Sequence, residues 1–249
     1  MKPHVLLVTG ASRGIGAATA RAAARAGWDV AVNYTRDAAA AAAVADDVRA
    51  EGRRAMVVQA DVADEAQVLA MFAAVDATLG RLTGLVNNAG VVDLPARVDE
   101  MSIERLQRMW AINITGSFLC AREALKRMSR RHGGPGGAIV NLSSAAAKLG
   151  SPNQYVDYAA SKGAIDTFTL GLAREVATEG VRVNGVRPGV IDTDIHASGG
   201  LPDRAAQMAP SVPMQRAGTA QEVAQAVVWL LSDAASYATG TTLDITGGR

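Results

Sequence analysis

A single cysteine, Cys120, stands among 249 residues, which excludes an intrachain disulfide and any cluster of thiolate metal ligands. Net charge is almost absent too. With 25 Lys and Arg against 24 Asp and Glu, the formal +1 gives no signal for a polyanion partner. The nearest approach to a basic run, Lys126 to Arg131, reads as the solvated end of a helix. Aromatic residues make up only 4 % of the chain and form no base-stacking pattern, so no nucleic-acid partner is expected. No apolar run reaches the ~18 to 20 residues that span a bilayer. The opening MKPHVLLVTG is too short an apolar stretch for a signal peptide. These gaps predict no membrane partner and a cytoplasmic location. His4, His132 and His196 fall in unrelated surroundings without metal-site spacing, so no metal is expected.

What remains is a composition suited to a buried core: 49 % hydrophobic and 20 % charged residues. No linker rich in Pro, Gly or Ser divides the chain, which predicts one domain over residues 1–249. Short β-branched runs alternate with longer stretches of helical spacing. Strands are predicted at Val5–Thr9, Val30–Tyr34, Ala55–Gln59, Leu85–Asn87, Ala138–Ser143, Arg182–Val186 and Thr242–Ile245. Helices are predicted at Ile15–Ala26, Ala38–Ala50, Glu65–Leu79, Ser102–Arg131, Tyr155–Thr178 and Ala220–Ser232. This alternation predicts an α/β fold, a doubly wound, mostly parallel sheet with helices on both faces. Right-handed crossovers then place every strand's C-terminal end on one edge, where ligands of such sheets bind.

Between the first strand and first helix lies Thr9-Gly10-Ala11-Ser12-Arg13-Gly14-Ile15-Gly16. Gly10 can turn the backbone, Gly14 and Gly16 permit close approach, and the unpaired amides of the new helix point at a pyrophosphate. The spacing is GxxxGxG, so the common GxGxxG fingerprint is only partly met. A second test lies at the end of the second strand. An NAD site usually carries an acid there for the ribose 2′-hydroxyl, whereas this chain has Asn33-Tyr34-Thr35-Arg36. Arg36 and Arg13 can pair with a 2′-phosphate, so NADP(H) is the expected cofactor; nearby Asp37 leaves NAD(H) possible. Asp61-Val62 can receive the adenine edge or simply cap a helix. Asn87-Asn88-Ala89-Gly90 makes a small turn that admits the cofactor backbone.

Tyr158-Ala-Ala-Ser-Lys162 lies within a helical run, and residues four apart share a face. A neighbouring ammonium lowers a phenol's pKa toward the range useful for proton transfer, so Lys162 is expected to depress that of Tyr158. Ser144 ends the preceding strand and can bind a carbonyl oxygen, with Ser143 as the fallback. Asn113 is polar within an apolar run and must satisfy its hydrogen bonds, plausibly on backbone and a water leading to Lys162. Singly, each of these residues also has a structural reading: a cap, a solvated charge, a satisfied amide.

Together these motifs strongly resemble the classical short-chain dehydrogenase/reductase family. Thr9–Gly16 looks like its cofactor turn and Asn87–Gly90 like its NNAG motif. Asn113, Ser144, Tyr158 and Lys162 match its catalytic tetrad. Pro188-Gly189 matches the turn framing the nicotinamide, with Ile191 following and Thr193 at the carboxamide position. The likeness runs from about residue 4 to 248. It implies a seven-stranded doubly wound sheet, a usual homotetramer, and hydride transfer between nicotinamide and a carbonyl or alcohol substrate. Tyr158 is then the acid, Ser144 orients the oxygen, Lys162 binds ribose, and Asn113 anchors a relay water. One departure stands out: Ser144 and Tyr158 are fourteen positions apart where the family commonly has thirteen, which points to an extra residue within Lys148–Asp157.

The chain is further similar to bacterial oxidoreductases related to glucose dehydrogenases and 3-oxoacyl carrier-protein reductases. The alternatives are therefore a 3-oxoacyl carrier-protein reductase, an NAD-dependent sugar or alcohol dehydrogenase, or a nucleotide-binding regulator without activity. A substrate loop is expected at about 190–217, with Ile191–Met214 as a mobile cover. Gly199 and Gly200 would supply its flexibility, and His196, Met208 and Met214 would line the pocket.

Overall fold

The computed structural model describes residues 4–193, 199–201 and 203–249. Its centre is β1 (His4–Val8), an almost continuous apolar run, as a parallel strand covered on both faces requires. Leu6 and Val8 pack into one core, Val5 and Leu7 into the other, as the two-residue period of a strand dictates. β2 (Trp28–Tyr34) and β3 (Ala55–Gln59) extend the sheet on one side. β4 (Gly84–Asn87), β5 (Gly137–Leu142), β6 (Val181–Pro188) and β9 (Thr242–Ile245) extend it on the other. The order is β3-β2-β1-β4-β5-β6-β9 with every pairing parallel. The order in which strands are added therefore reverses between β1 and β4, and the crevice at their C-terminal ends is the ligand position of such folds.

Helices α1 (Gly14–Arg25) and α2 (Ala38–Ala50) cover one face together with helix Ala220–Leu231. Alanines make the close approach possible: Ala18 and Ala22 of α1 meet Ala224 in a small contact of their own. On the opposite face lie α3 (Glu65–Thr78), α5 (Gly116–Met128) and α7 (Val156–Val176). Aspartates cap two of these helices, with Asp37 accepting from Ala40 N and Asp64 from Gln67 N.

Two segments differ from the sequence reading. The helix predicted over Ser102–Arg131 is broken: α4 (Ile103–Trp110) passes through a π-helical turn, Ala111–Thr115, before α5 begins. Such turns are frequent at functional sites, and Asn113 lies within this one. Its Oδ1 accepts from Val91 N at 2.8 Å and its Nδ2 donates to Val91 O at 3.0 Å, tying the turn to the loop after β4. The irregular stretch after β6 is pinned at its ends by a two-strand pairing of β7 (Ile191–Asp192) with β8 (Gly218–Thr219). Beneath it Val190, Ala205 and Val212 form a satellite core.

The start of α7 is fixed from the side. Arg105 of α4 grips the fully buried carboxylate of Asp157 with Nε at 2.7 Å and Nη2 at 3.1 Å. That paired arrangement satisfies a charge which would otherwise be costly to bury.

Candidate active site

The glycine turn is held by its neighbours. Gly10 has φ +61° and its N–H donates to Asn33 Oδ1 at 3.0 Å, while Ala11 N donates to Asn33 O at 2.7 Å. Asn33 is buried and its Nδ2 donates to Val58 O and Ala60 O. Its amide shapes the turn, with both side-chain groups engaged by the protein itself. Gly16 is where backbone approaches most closely: an added Cβ would lie 2.5 Å from Asn88 Nδ2 and 2.6 Å from Gly10 O. Asn88 closes this clamp, donating from Nδ2 to Thr9 O at 2.8 Å and to Gly10 O at 3.0 Å. Thr9 Oγ1 receives both Asn88 N and Ala89 N. The ends of β1 and β4 are thereby locked at the switch point, and the first amides of α1 have no intrahelical acceptor. This cradle of glycine and free amide fits a dinucleotide's pyrophosphate.

Beyond β2, Thr35 and Arg36 are exposed and Tyr34 is half-buried. Asp37 is also exposed, and its carboxylate caps α2. Arg13 sits exposed beside the turn, and Ser12 is half-buried next to it. Asp61 Oδ1 accepts from Ala63 N at 2.9 Å within the turn before α3, whose cap is Asp64. Val62 is buried against Gly116, so only its backbone is available to a ligand.

The second half of the site surrounds a cavity of about 500 Å³. The structure brings together there Ile15, Asn88, Gly90, Ser144, Tyr158, Lys162, Pro188, Gly189, Ile191 and Thr193 of the predicted residues. Ser144 and the Tyr158 phenol face the same cavity, and Ser144 Oγ accepts from Ala146 N at 3.1 Å. Ser143 also lines the cavity, but its hydroxyl donates to Lys162 O at 3.1 Å, which removes it as the alternative. Lys162 Nζ donates to Leu142 O at 2.7 Å and lies 5.6 Å from the Tyr158 ring centre. Gly90 passes beside Asn113 Oδ1 and Lys162 Nζ, each 3.5 Å from where its Cβ would be.

Electrostatics correct one expectation. Burial pushes the Tyr158 phenol above its ordinary pKa, with the Ser144 hydroxyl opposing it; Lys162 does not depress it here. The same burial brings Lys162 down to about 8, partly offset by Asp166. Asn113, outside the cavity wall, binds Val91 and donates to Ser161 Oγ at 3.1 Å. Its side chain braces α7 at Ser161, the residue before Lys162, and its carbonyl accepts from Ser117 Oγ.

The segment between Ser144 and Tyr158 has unusual backbone. Ser151 (φ 47°) and Asn153 (φ 59°) are two of only three non-glycine residues with left-handed backbone among those described. The loop turns twice through a conformation that non-glycine residues disfavour. Sequence reasoning missed Gln154, Tyr155, Arg204 and Arg249 as cavity residues. A tyrosine without a lysine four positions on was the sole available hint, and nothing local marked the arginines. Met208 does line the cavity, whereas Met214 is 59 % exposed and does not. His196 lies outside the described residues.

A parallel sheet with a glycine cradle at its switch point and a Ser-Tyr-Lys cluster beside it defines a nicotinamide-dependent oxidoreductase. Comparisons with known proteins agree. A family model described as Enoyl-(Acyl carrier protein) reductase matches residues 10–249. An uncharacterized oxidoreductase of Escherichia coli, YgfF, is 56 % identical over 245 residues, covering 98 % of this chain and 99 % of that protein. The 3-oxoacyl-[acyl-carrier-protein] reductase FabG of Staphylococcus aureus is 38 % identical over 247 residues, 97 % and 96 % of the two chains. A short-chain dehydrogenase/reductase of Mycobacterium marinum superposes with a TM-score of 0.91 at 36 % identity, over 98 % and 94 % of the chains. The chain belongs to the short-chain dehydrogenase/reductase family and is an NAD(P)-dependent oxidoreductase of that family.

Proposed function

We propose that the protein is an NADP(H)-preferring reductase of a small-molecule carbonyl, with Tyr158 as general acid. The observation that carries this reading is the convergence of Ser144, Tyr158 and Lys162 on the wall of one cavity. A cofactor bound along the glycine cradle supplies the hydride. Burial keeps the phenol protonated at neutral pH, which is the form that delivers a proton to the nascent alkoxide oxygen. Ser144 orients that oxygen by hydrogen bonding. Lys162 keeps two N–H donors beyond the one given to Leu142 O, enough to hold ribose hydroxyls. Asn113 and Ser161 brace α7 so that Tyr158 and Lys162 keep one face.

The preference for NADP(H) rests on exposed Arg36, on Arg13 beside the turn, and on the use of Asp37 as a helix cap. The same reading takes residues 1–249 as one domain in a cytoplasmic homotetramer. Phe118, Leu170, Trp229 and Tyr237 offer the exposed apolar surface such an assembly covers.

NADPH and NADH oxidation, recorded against diketones, aldehydes, sugars and 3-oxoacyl thioesters, tests the proposal. Tyr158→Phe is expected to lower turnover by roughly 10² to 10⁴ while cofactor binding persists. Undiminished turnover in that variant overturns the assignment of the acid, and faster use of NADH overturns the cofactor preference.

A further inference from the structure

The substrate half of the cavity has a charge pattern that proton and hydride transfer do not require. Among the described residues that line it there is no Asp or Glu, while Lys162, Arg204 and Arg249 are all present. Lys162 is engaged with Leu142 O and belongs to the reaction centre. Arg204 has no such role. It is half-buried, its Nη2 donates to Gln154 Oε1 at 2.9 Å, and its guanidinium lies 4.9 Å from the centre of the Tyr155 ring. Gln154 and Tyr155 directly precede α7, the helix that carries Tyr158. A guanidinium has five N–H donors, and among the described residues only Gln154 accepts from this one. No described carboxylate forms an ion pair with it, although the chain pairs most of its partly buried arginines, Arg105, Arg127 and Arg187 among them.

The cofactor's own anionic groups do not account for Arg204, since the cradle for them lies at Gly10–Gly16 and the end of β2. The stacked, hydrogen-bonded guanidinium is held in one orientation, and a cavity lined by one sign of charge concentrates the opposite sign. Val92, Leu149 and Met208 give the cavity wall apolar surface as well. We propose that the substrate is an oxo acid, a ketone or aldehyde on a short apolar body with a carboxylate bound by Arg204. This rests on the reductase reading and narrows it to a substrate class.

The test pairs straight-chain oxo acids, from acetoacetate and levulinate to longer homologues, with their methyl esters, and adds acetoacetyl pantetheine. Wild type is expected to favour acid over ester by at least roughly tenfold in kcat/KM, and Arg204→Gln to collapse that ratio toward one by raising KM for the acid. Arg204→Lys should recover part of the ratio, because a point charge replaces the planar fork. Calorimetric titration of the NADP⁺-loaded wild type with levulinate and its ester gives a readout independent of turnover. Binding of the acid alone, weakened by salt, supports the site. Equal binding or turnover of acid and ester, or preference for the thioester, overturns it and leaves the reductase reading standing. Failure of that reading shows separately, in a Tyr158→Phe variant that loses no activity.

Discussion

The two halves of the ligand edge are built by different means. Under β1 and β4 the cradle is a close-packed turn: Gly10 and Gly16 leave no room for an added atom, and the Asn88 amide and Thr9 hydroxyl bind the surrounding main chain. Around the cavity the wall is made of side chains on short or irregular segments: the loop through Ser151 and Asn153, and the stretch between β7 and β8 over a small satellite core. The first arrangement leaves few residue choices and serves a cofactor shared by many enzymes. The second tolerates exchange, and specificity resides there.

Lys162, at the border between the halves, gives the largest expected effect. Its folded-state pKa of about 8 lies below the ordinary 10.5, so the unfolded chain binds more protons between those values. Stability therefore rises with pH across that window and is flat below it. Denaturant unfolding should show wild type gaining about 3 kcal/mol on Lys162→Met between the two limits. A flat difference would mean that Lys162 is hydrated, and the border less closed than its burial indicates.

Next in size is Gly16→Ala. The intruding methyl must displace backbone, which costs about 1 to 3 kcal/mol in overpacked sites. Thermal unfolding and cofactor titration should both register the change. An unperturbed variant with normal cofactor affinity would remove the claim that this half is rigid.

The smallest effect is on the soft side. Ser151→Gly relieves a left-handed backbone position, with an expected gain of about 0.5 to 1 kcal/mol and a displaced substrate KM. Asn153→Gly should gain less, since asparagine tolerates that conformation better.

Legibility in the sequence followed the same division. Strand and helix alternation predicted the doubly wound sheet, and α2, β3 and β9 matched their predicted limits. Motif spacing singled out Ser144, Tyr158 and Lys162, which the structure places on one cavity wall. The π-helical turn was not legible, because Asn113 draws it inward through Val91, a neighbour 22 residues away. Nor was the direction of the Tyr158 shift, which depends on how far water is excluded from the phenol.

The sequence by itself determined the alternation of strands and helices and the glycine turn after the first strand, since hydrophobic period and permitted backbone angles are local properties of the chain. Only the tertiary structure decided that Asn33 supports the turn, that the Ser143 hydroxyl is engaged with Lys162 O, and that Arg204 stands over Tyr155 in a cavity lined by no described acid. Those outcomes depend on which distant groups share a volume, and neither composition nor spacing encodes that locally.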